Sequence, residues 1–283
     1  MTAYEKEDII LYGDCRETLP KFTEKARTCI TSPPYYGLRD YGGEAHQIGQ
    51  EETPEEYVEA LVDVFRKVKD CLTDDGTLWL NIGDTYYNYR PSNNGGYGGT
   101  GKNINRGLPE KVNKRSNKFE GIKEKDLIGI PWMLAFALRA DGWYLRQDII
   151  WSKPNVMPES VKDRCTKSHE YIFLLSKSQH YYFDNEVIKE EAVGFETKNK
   201  RSVWTVNTKP YQGAHFAVFP SELIEPCVLA GSEKGDYVLD PFLGSGTTGL
   251  VAMKHGRFYM GCELNEDYSD LIDQRVAQRP LPF

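Results

Sequence analysis

The chain has 283 residues, 40% of them hydrophobic and 27% charged, with a formal net charge of −7 at pH 7. A chain of this length buries roughly three quarters of its unfolded surface and needs neither disulfides nor a metal to hold a core. Collagen-like, coiled-coil and disordered compositions are excluded, as is a membrane helix, since no run of 18 uncharged apolar residues exists. The acidic start MTAYEKEDIILYGD lacks a signal peptide's apolar stretch, so an intracellular protein is expected. The six cysteines stand singly, without a C-x-x-C pair, and read as reduced, mostly buried small hydrophobes rather than zinc or disulfide frameworks.

Along the chain, DIILYGD is an apolar strand ending at Gly13-Asp14, residues 15–24 read as a short helix, and ARTCIT (26–31) is a second strand. Ser32-Pro33-Pro34-Tyr35 follows, and two prolines force the chain out of the sheet there. Thr53-Pro54-Glu55-Glu56 predicts a helix start with a capping box, and Tyr57, Leu61, Val64, Phe65, Val68 and Leu72 keep helical spacing. Asp74-Asp75-Gly76 reads as a turn into the strand TLWLNI. This β-α-β-α-β rhythm predicts an α/β fold, a mostly parallel sheet covered by helices.

Residues 84–125 break the rhythm and are too long for an ordinary connection. The stretch from Lys102 to Lys125 holds eight Lys and Arg against three Glu, and Lys198 to Lys209 holds four bases and no acid. Segments of this kind grip a polyanion, or are simply solvated loops. Order returns with the helix PWMLAFALRA and the strands WYLRQDIIW, YIFLLSKS and YYFD. Then come the helix FPSELIEPCVLAG, with Ser221 as its cap, the strand YVLD, the helix TTGLVAMKHG and the strand RFYMGCEL.

Two constellations carry chemistry. In YVLDPFLGSGTTGLVA a strand ends at Asp240, and a turn with Gly244, Gly246 and Gly249 opens a helix near Thr247. Such a turn lets a ligand approach the backbone, and the helix start offers free N–H groups. Glu263, at the end of the next strand, suits ribose hydroxyls. A dinucleotide is the default ligand for such a fingerprint, but Asp240 before the first glycine would repel a pyrophosphate while accepting an amino group. A P-loop is excluded because no Gly-Lys-Ser/Thr follows. In the second constellation the prolines fix backbone carbonyls in one direction, Ser32 adds a hydroxyl and Tyr35 a flat ring, a set able to hold an exocyclic amino group.

Together, SPPY and DPFLGSGTTGL resemble the amino-methylating DNA methyltransferases. In that family's β-group the catalytic tetrapeptide precedes the glycine motif, as here. The resemblance implies a Rossmann-like methyltransferase sheet with helices on both faces and circularly permuted motif order, forming one domain over residues 1–283. It implies S-adenosylmethionine as cofactor. Asp240, Phe242, Gly244, Ser245, Gly246 and Thr247 would surround its methionine part, with His215, Ala217, Phe219 and Pro220 lining that end. Glu263 would bind the ribose and Asp14 would reach the adenine. Ser32, Pro33, Pro34 and Tyr35 would be catalytic, Tyr35 stacking on a flipped base. The segment SHEYIFLLSKSQHYYFD is similar to the strand pair behind the flipped base, and within it His169 and Glu170 read as a satisfied strand-end pair, structural rather than catalytic.

Ser32, where the family's adenine enzymes more often carry Asp, points to N4 of cytosine. N6 of adenine, an RNA acceptor and a non-catalytic DNA-binding module are the alternatives, and an NAD-dependent oxidoreductase ranks last. Residues 86–125 and 187–212 are the candidate recognition insertions. Lys102, Arg106, Lys111, Lys114, Arg115, Lys118, Lys200 and Arg201 are the candidate DNA contacts. The expected partners are double-stranded DNA and a cognate restriction endonuclease, in a bacterial cytoplasm or encoded by a phage. No metal is expected.

Overall fold

The computed structural model describes residues 6–37, 47–87, 121–192, 194–208 and 219–276. Their strands are β1 (Ile9–Tyr12), β2 (Ala26–Thr31), β3 (Leu72–Ile82), β4 (Tyr144–Ser152), β5 (His169–Ser176), β6 (Glu190–Ala192), β7 (Phe195–Lys198), β8 (Val203–Thr205), β9 (Tyr237–Asp240) and β10 (Phe258–Glu263). The helices are α1 (Cys15–Thr18), α2 (Pro54–Cys71), α3 (Ile130–Ala140), α4 (Ser221–Gly231), α5 (Thr247–Lys254) and α6 (Ser269–Val276).

Eight strands form one sheet in the order β1-β10-β9-β2-β3-β5-β4-β8. All neighbours are parallel except at β5, which runs antiparallel to both β3 and β4. The expected mostly parallel sheet is therefore present. Its centre joins β2 to β9, strands about two hundred residues apart, with Cys29 opposite Leu239.

Side-chain alternation explains the layers. Cys29, Leu78, Leu80, Leu239 and Cys262 point into a core closed by α2 and α3. Ile30, Trp79, Val238 and Tyr259 point the other way, under α4 and α5. In α2 the capping box forms as expected, with Thr53 accepting from the Glu56 N–H and Glu56 reaching back to the Thr53 N–H. Tyr57, Leu61, Val64, Phe65 and Val68 are fully buried. At the end of α4, Gly231 is required for contact with the sheet: a Cβ there would stand 2.8 Å from the Thr28 hydroxyl. Five of the six cysteines are buried, Cys29 and Cys262 completely; Cys165 is exposed.

Four expected local features differ. The helix read over residues 15–24 is only α1, followed by a 3-10 turn at Leu19–Lys21 that contains Pro20. Asp74-Asp75-Gly76 is not a free turn before β3 but lies within its irregular first half, where the register shifts between Ala26 and Thr28. The Asp75 and Gly76 carbonyls accept from Tyr182 and Lys177, which keeps this stretch extended. YYFD (181–184) is not a strand, because the N–H groups of Tyr182 and Asp184 go to Asp75 and to Ala230 of α4. In α4 the cap position belongs to Pro220, and Ser221 is the first helical residue.

The carboxyl ends of β1, β2, β3, β4, β9 and β10 share one edge of the sheet. Antiparallel β5 starts there, pairing His169 with Ser152. That edge carries Asp14, Ser32, Gly83, Lys153, Glu170, Asp240 and Glu263.

Candidate active site

The tetrapeptide leaves the sheet directly after β2, and its turn is pinned from below. The Tyr57 hydroxyl of α2 donates to the Pro34 carbonyl at 2.8 Å. Gly49, at φ +95°, packs so closely that an added Cβ would meet the Tyr35 carbonyl at 3.1 Å. With the Pro34 carbonyl engaged, Ser32 and the Pro33 carbonyl are the candidate groups for an incoming amino group. The Tyr35 ring lies against Gly83, where a Cβ would be 2.7 Å from its Cε2. Its hydroxyl donates to Glu170 Oε2 at 2.8 Å. Burial and the neighbouring Glu170 charge push the phenol's ionisation well above its ordinary range, so it stays a neutral donor.

The glycine turn joins this motif through one carboxylate. Asp240, 2% exposed, accepts from Thr31, the residue before Ser32, at 2.6 Å. It also accepts from Thr248 at 2.7 Å and from the Phe242 N–H at 3.0 Å. Burial pushes its pKa up to about 6, against the pull of these donors. The two motifs, 209 residues apart at this contact, are thus held in one hydrogen-bond network.

Glu263 ends β10 and braces the turn from the other side. Its Oε2 accepts from the Gly244 N–H at 2.7 Å and its Oε1 from the Asn265 N–H at 2.9 Å. Burial raises its pKa as well. Gly244 and Gly246 hold φ of +53° and +79°, which favours glycine at both positions. A Cβ on Gly246 would meet Ile272 of α6 at 3.3 Å. Arg275 of α6 hydrogen-bonds the Ser245 hydroxyl and, at 3.2 Å, the Ser245 carbonyl. Thr247 opens α5 with a buried hydroxyl that has no hydrogen-bond partner among the described residues. An orphaned hydroxyl at a helix start, beside backbone approached through glycines, is hydrogen-bonding capacity that a ligand can use.

Asp14 caps α1 and is paired with Arg16, its Oδ1 accepting from the Arg16 N–H at 2.8 Å. It lies beside Glu263, whose carbonyl accepts from Gly13 at 2.8 Å. Phe219 is buried and Pro220 caps α4. His215, Ala217 and the six basic residues from Lys102 to Lys118 lie outside the described residues. Lys200 is paired with Glu190 at 3.1 Å and sits over Trp204, whereas Arg201 is exposed. Of the 187–212 insertion, the described residues include β6 and β7, which pair antiparallel, and β8, which joins the main sheet.

Sequence reasoning placed the segment of Glu170 behind the flipped base but missed the partners of Glu170. Glu170 pairs with Lys153, not with its neighbour His169. Asn81 donates to the Tyr171 carbonyl at 3.0 Å and approaches Glu170 at 3.4 Å. His169 stands edge-on to Tyr171, and burial lowers its pKa, with Lys167 adding to the effect. The available signal was the placement of Lys153 and His169-Glu170 at adjacent ends of two apolar strands, visible only once β4 and β5 are taken as an antiparallel pair.

A family model described as DNA methylase, covering N6- and N4-type methyltransferases, matches residues 26–274. The chain is 52% identical over 265 residues to Type II methyltransferase M.Cfr9I of Citrobacter freundii, covering 93% of this chain and 86% of that one. It is 52% identical over 273 residues to Type II methyltransferase M.SmaI of Serratia marcescens, covering 95% and 91%. Among solved structures, the PvuII cytosine-N4-specific DNA methyltransferase superposes with a TM-score of 0.68 at 20% identity, covering 96% of this chain and 87% of that one. A DNA modification methylase from Thermus thermophilus, solved with S-adenosyl-L-methionine, gives 0.64 at 25% identity, covering 98% and 97%.

Proposed function

The chain belongs to the N6/N4 DNA methylase family and is a DNA methyltransferase related to Type II enzymes, and we propose that it methylates N4 of a flipped cytosine in double-stranded DNA. S-adenosylmethionine is the methyl donor; bound at the glycine turn, it supplies an electrophilic methyl group. The residues present suit it. Among the described residues Thr247 has an unpartnered hydroxyl and Asp240 and Glu263 form no ion pair, so they favour a cationic ligand. Asp14, His215, Ala217, Phe219, Pro220, Phe242, Gly244, Ser245 and Gly246 complete the set assigned to it.

An exocyclic amino nitrogen is a weak nucleophile because its lone pair is delocalised into the ring. Ser32 and the Pro33 carbonyl accept hydrogen bonds from the amino group and orient it so that its lone pair turns out of the ring plane. Tyr35 stacks on the base once it leaves the duplex. The gain comes from positioning and from dipoles fixed before the substrate arrives. The observation that carries this reading is the Thr31–Asp240 hydrogen bond, which places Ser32 beside the glycine turn. Ser32 itself supports cytosine over adenine.

In this reading residues 1–283 form one methyltransferase domain, with 86–125 and 187–212 contacting DNA. Relatives named as Type II methyltransferases support a cognate restriction endonuclease as functional partner. No helix among the described residues is long and apolar enough to cross a membrane, and the substrate is cytoplasmic DNA.

The test is methyl transfer from labelled S-adenosylmethionine to unmethylated duplex DNA, followed by nucleoside mass spectrometry and site mapping. N4-methylcytosine is expected, with kcat falling by about 100-fold in Ser32→Ala. N6-methyladenine would overturn the base assignment, and no DNA product would overturn the reading.

A further inference from the structure

Lys153 and Glu170 lie outside both motifs, yet they are the best-covered ion pair at the strand ends, with side chains 15% and 17% exposed. We propose that they are positioning residues that act through Tyr35, fixing its ring in the orientation that receives the target base. The inference rests on the methyl-transfer reading and adds to it two residues that touch neither base nor cofactor.

A covered ion pair adds little stability over an apolar pair of similar volume, so its presence calls for another reason. Each member is held from several sides. Glu170 Oε2 accepts from Tyr35 at 2.8 Å and lies 3.4 Å from the Asn81 amide nitrogen. The Lys153 ammonium stands 4.0 Å from the centre of the Trp151 ring. Trp151 is fixed in turn by its indole N–H, which donates to the Val206 carbonyl at 2.8 Å. The pair therefore stays where β4 and β5 place it.

Tyr35 is anchored at both ends. Its backbone belongs to the Pro-Pro turn, and its phenol oxygen is bonded to Glu170. Gly83 leaves no room for the ring to move back, since even a Cβ there would overlap Cε2. A ring fixed this way loses no rotational freedom when a base stacks on it, which is how positioning raises a rate. The hydroxyl serves as the anchor and the ring face as the working surface.

The experiment is a double-mutant cycle on the full-length protein. The substrate is duplex DNA carrying the mapped site, with 2-aminopurine replacing the target base in a parallel fluorescence assay of flipping. Tyr35→Phe and Glu170→Ala should each lower kcat by about 10-fold to 100-fold and weaken the flipped-base signal. Calorimetric binding of S-adenosylmethionine should be unchanged. Tyr35→Phe/Glu170→Ala should be no slower than the slower single variant. Lys153→Met/Glu170→Gln keeps an acceptor for the phenol without leaving a buried ammonium unpaired, and should restore kcat to within about threefold of wild type.

Multiplicative losses in the double variant would overturn the proposal, because Glu170 would then act independently of the phenol. Tyr35→Phe removes one oxygen and leaves the packing intact, so full kcat and full flipping signal in that variant alone would also overturn it. A wild-type protein that methylates no DNA would instead remove the reading on which the proposal rests.

Discussion

The two halves of the site handle negative charge in opposite ways. On the glycine-turn side, Asp240 and Glu263 are satisfied by hydroxyls and backbone N–H groups, and burial raises the pKa of both. On the tetrapeptide side, Glu170 is neutralised by Lys153. The first arrangement keeps a negative potential that a cation completes, and the second presents a neutral, shaped surface. In the proposed function, the first would receive a sulfonium with an ammonium group and the second an uncharged nucleobase. Thr31 connects them, since its hydroxyl bonds Asp240 while its chain continues into Ser32.

The largest test of this contrast lies at Gly83. Alanine there would place its Cβ 2.7 Å from Tyr35 Cε2 and 3.3 Å from Glu170 Cγ. We expect kcat to fall by about 100-fold while the S-adenosylmethionine Kd holds, as steady-state kinetics and calorimetry would show. Weakened cofactor binding with normal kcat would mean the halves are not separable in this way. Asp240→Asn addresses the other half and should weaken S-adenosylmethionine binding by about tenfold. S-adenosylhomocysteine lacks the sulfonium charge but keeps the ammonium: a smaller loss would place the carboxylate's effect at the sulfonium, and an equal loss would place it at the ammonium or at hydrogen bonds that both ligands share.

The smallest effect on turnover concerns pH. Asp240 titrates at about 6 in the fold against an ordinary value of 3.8, so between these values the folded chain binds more protons than the unfolded one. Stability therefore falls as pH rises from about 4 to about 6. Denaturation midpoints across that range should show this contribution in wild type and not in Asp240→Asn. A contribution of opposite slope would mean the carboxylate is stabilised as a charge.

Features that one segment decides by itself were legible in the sequence. The capping box at Thr53, the exit forced by Pro33-Pro34 and the glycine turn after Asp240 each depend on neighbours within a few residues. Where distant partners decide, reading fell short. YYFD has strand composition, but its N–H groups are claimed by β3 and α4. His169-Glu170 reads as a local pair, yet the partner of Glu170 comes from β4 and its second contact from Tyr35, 135 residues away. The Thr31–Asp240 bond was likewise invisible, although both motifs were in view.

The placement of β9 between β2 and β10 has a bearing on synthesis. During translation the tetrapeptide emerges early, but the neighbours that complete its edge of the sheet emerge more than two hundred residues later. Contacts of such long range are slow to form and leave strand edges exposed meanwhile. A nascent chain stalled before residue 237 would carry every atom of Ser32-Pro33-Pro34-Tyr35 and still lack β9 and the glycine turn after it. Thr31 and Asp240 can therefore meet only after the chain has been made through β9.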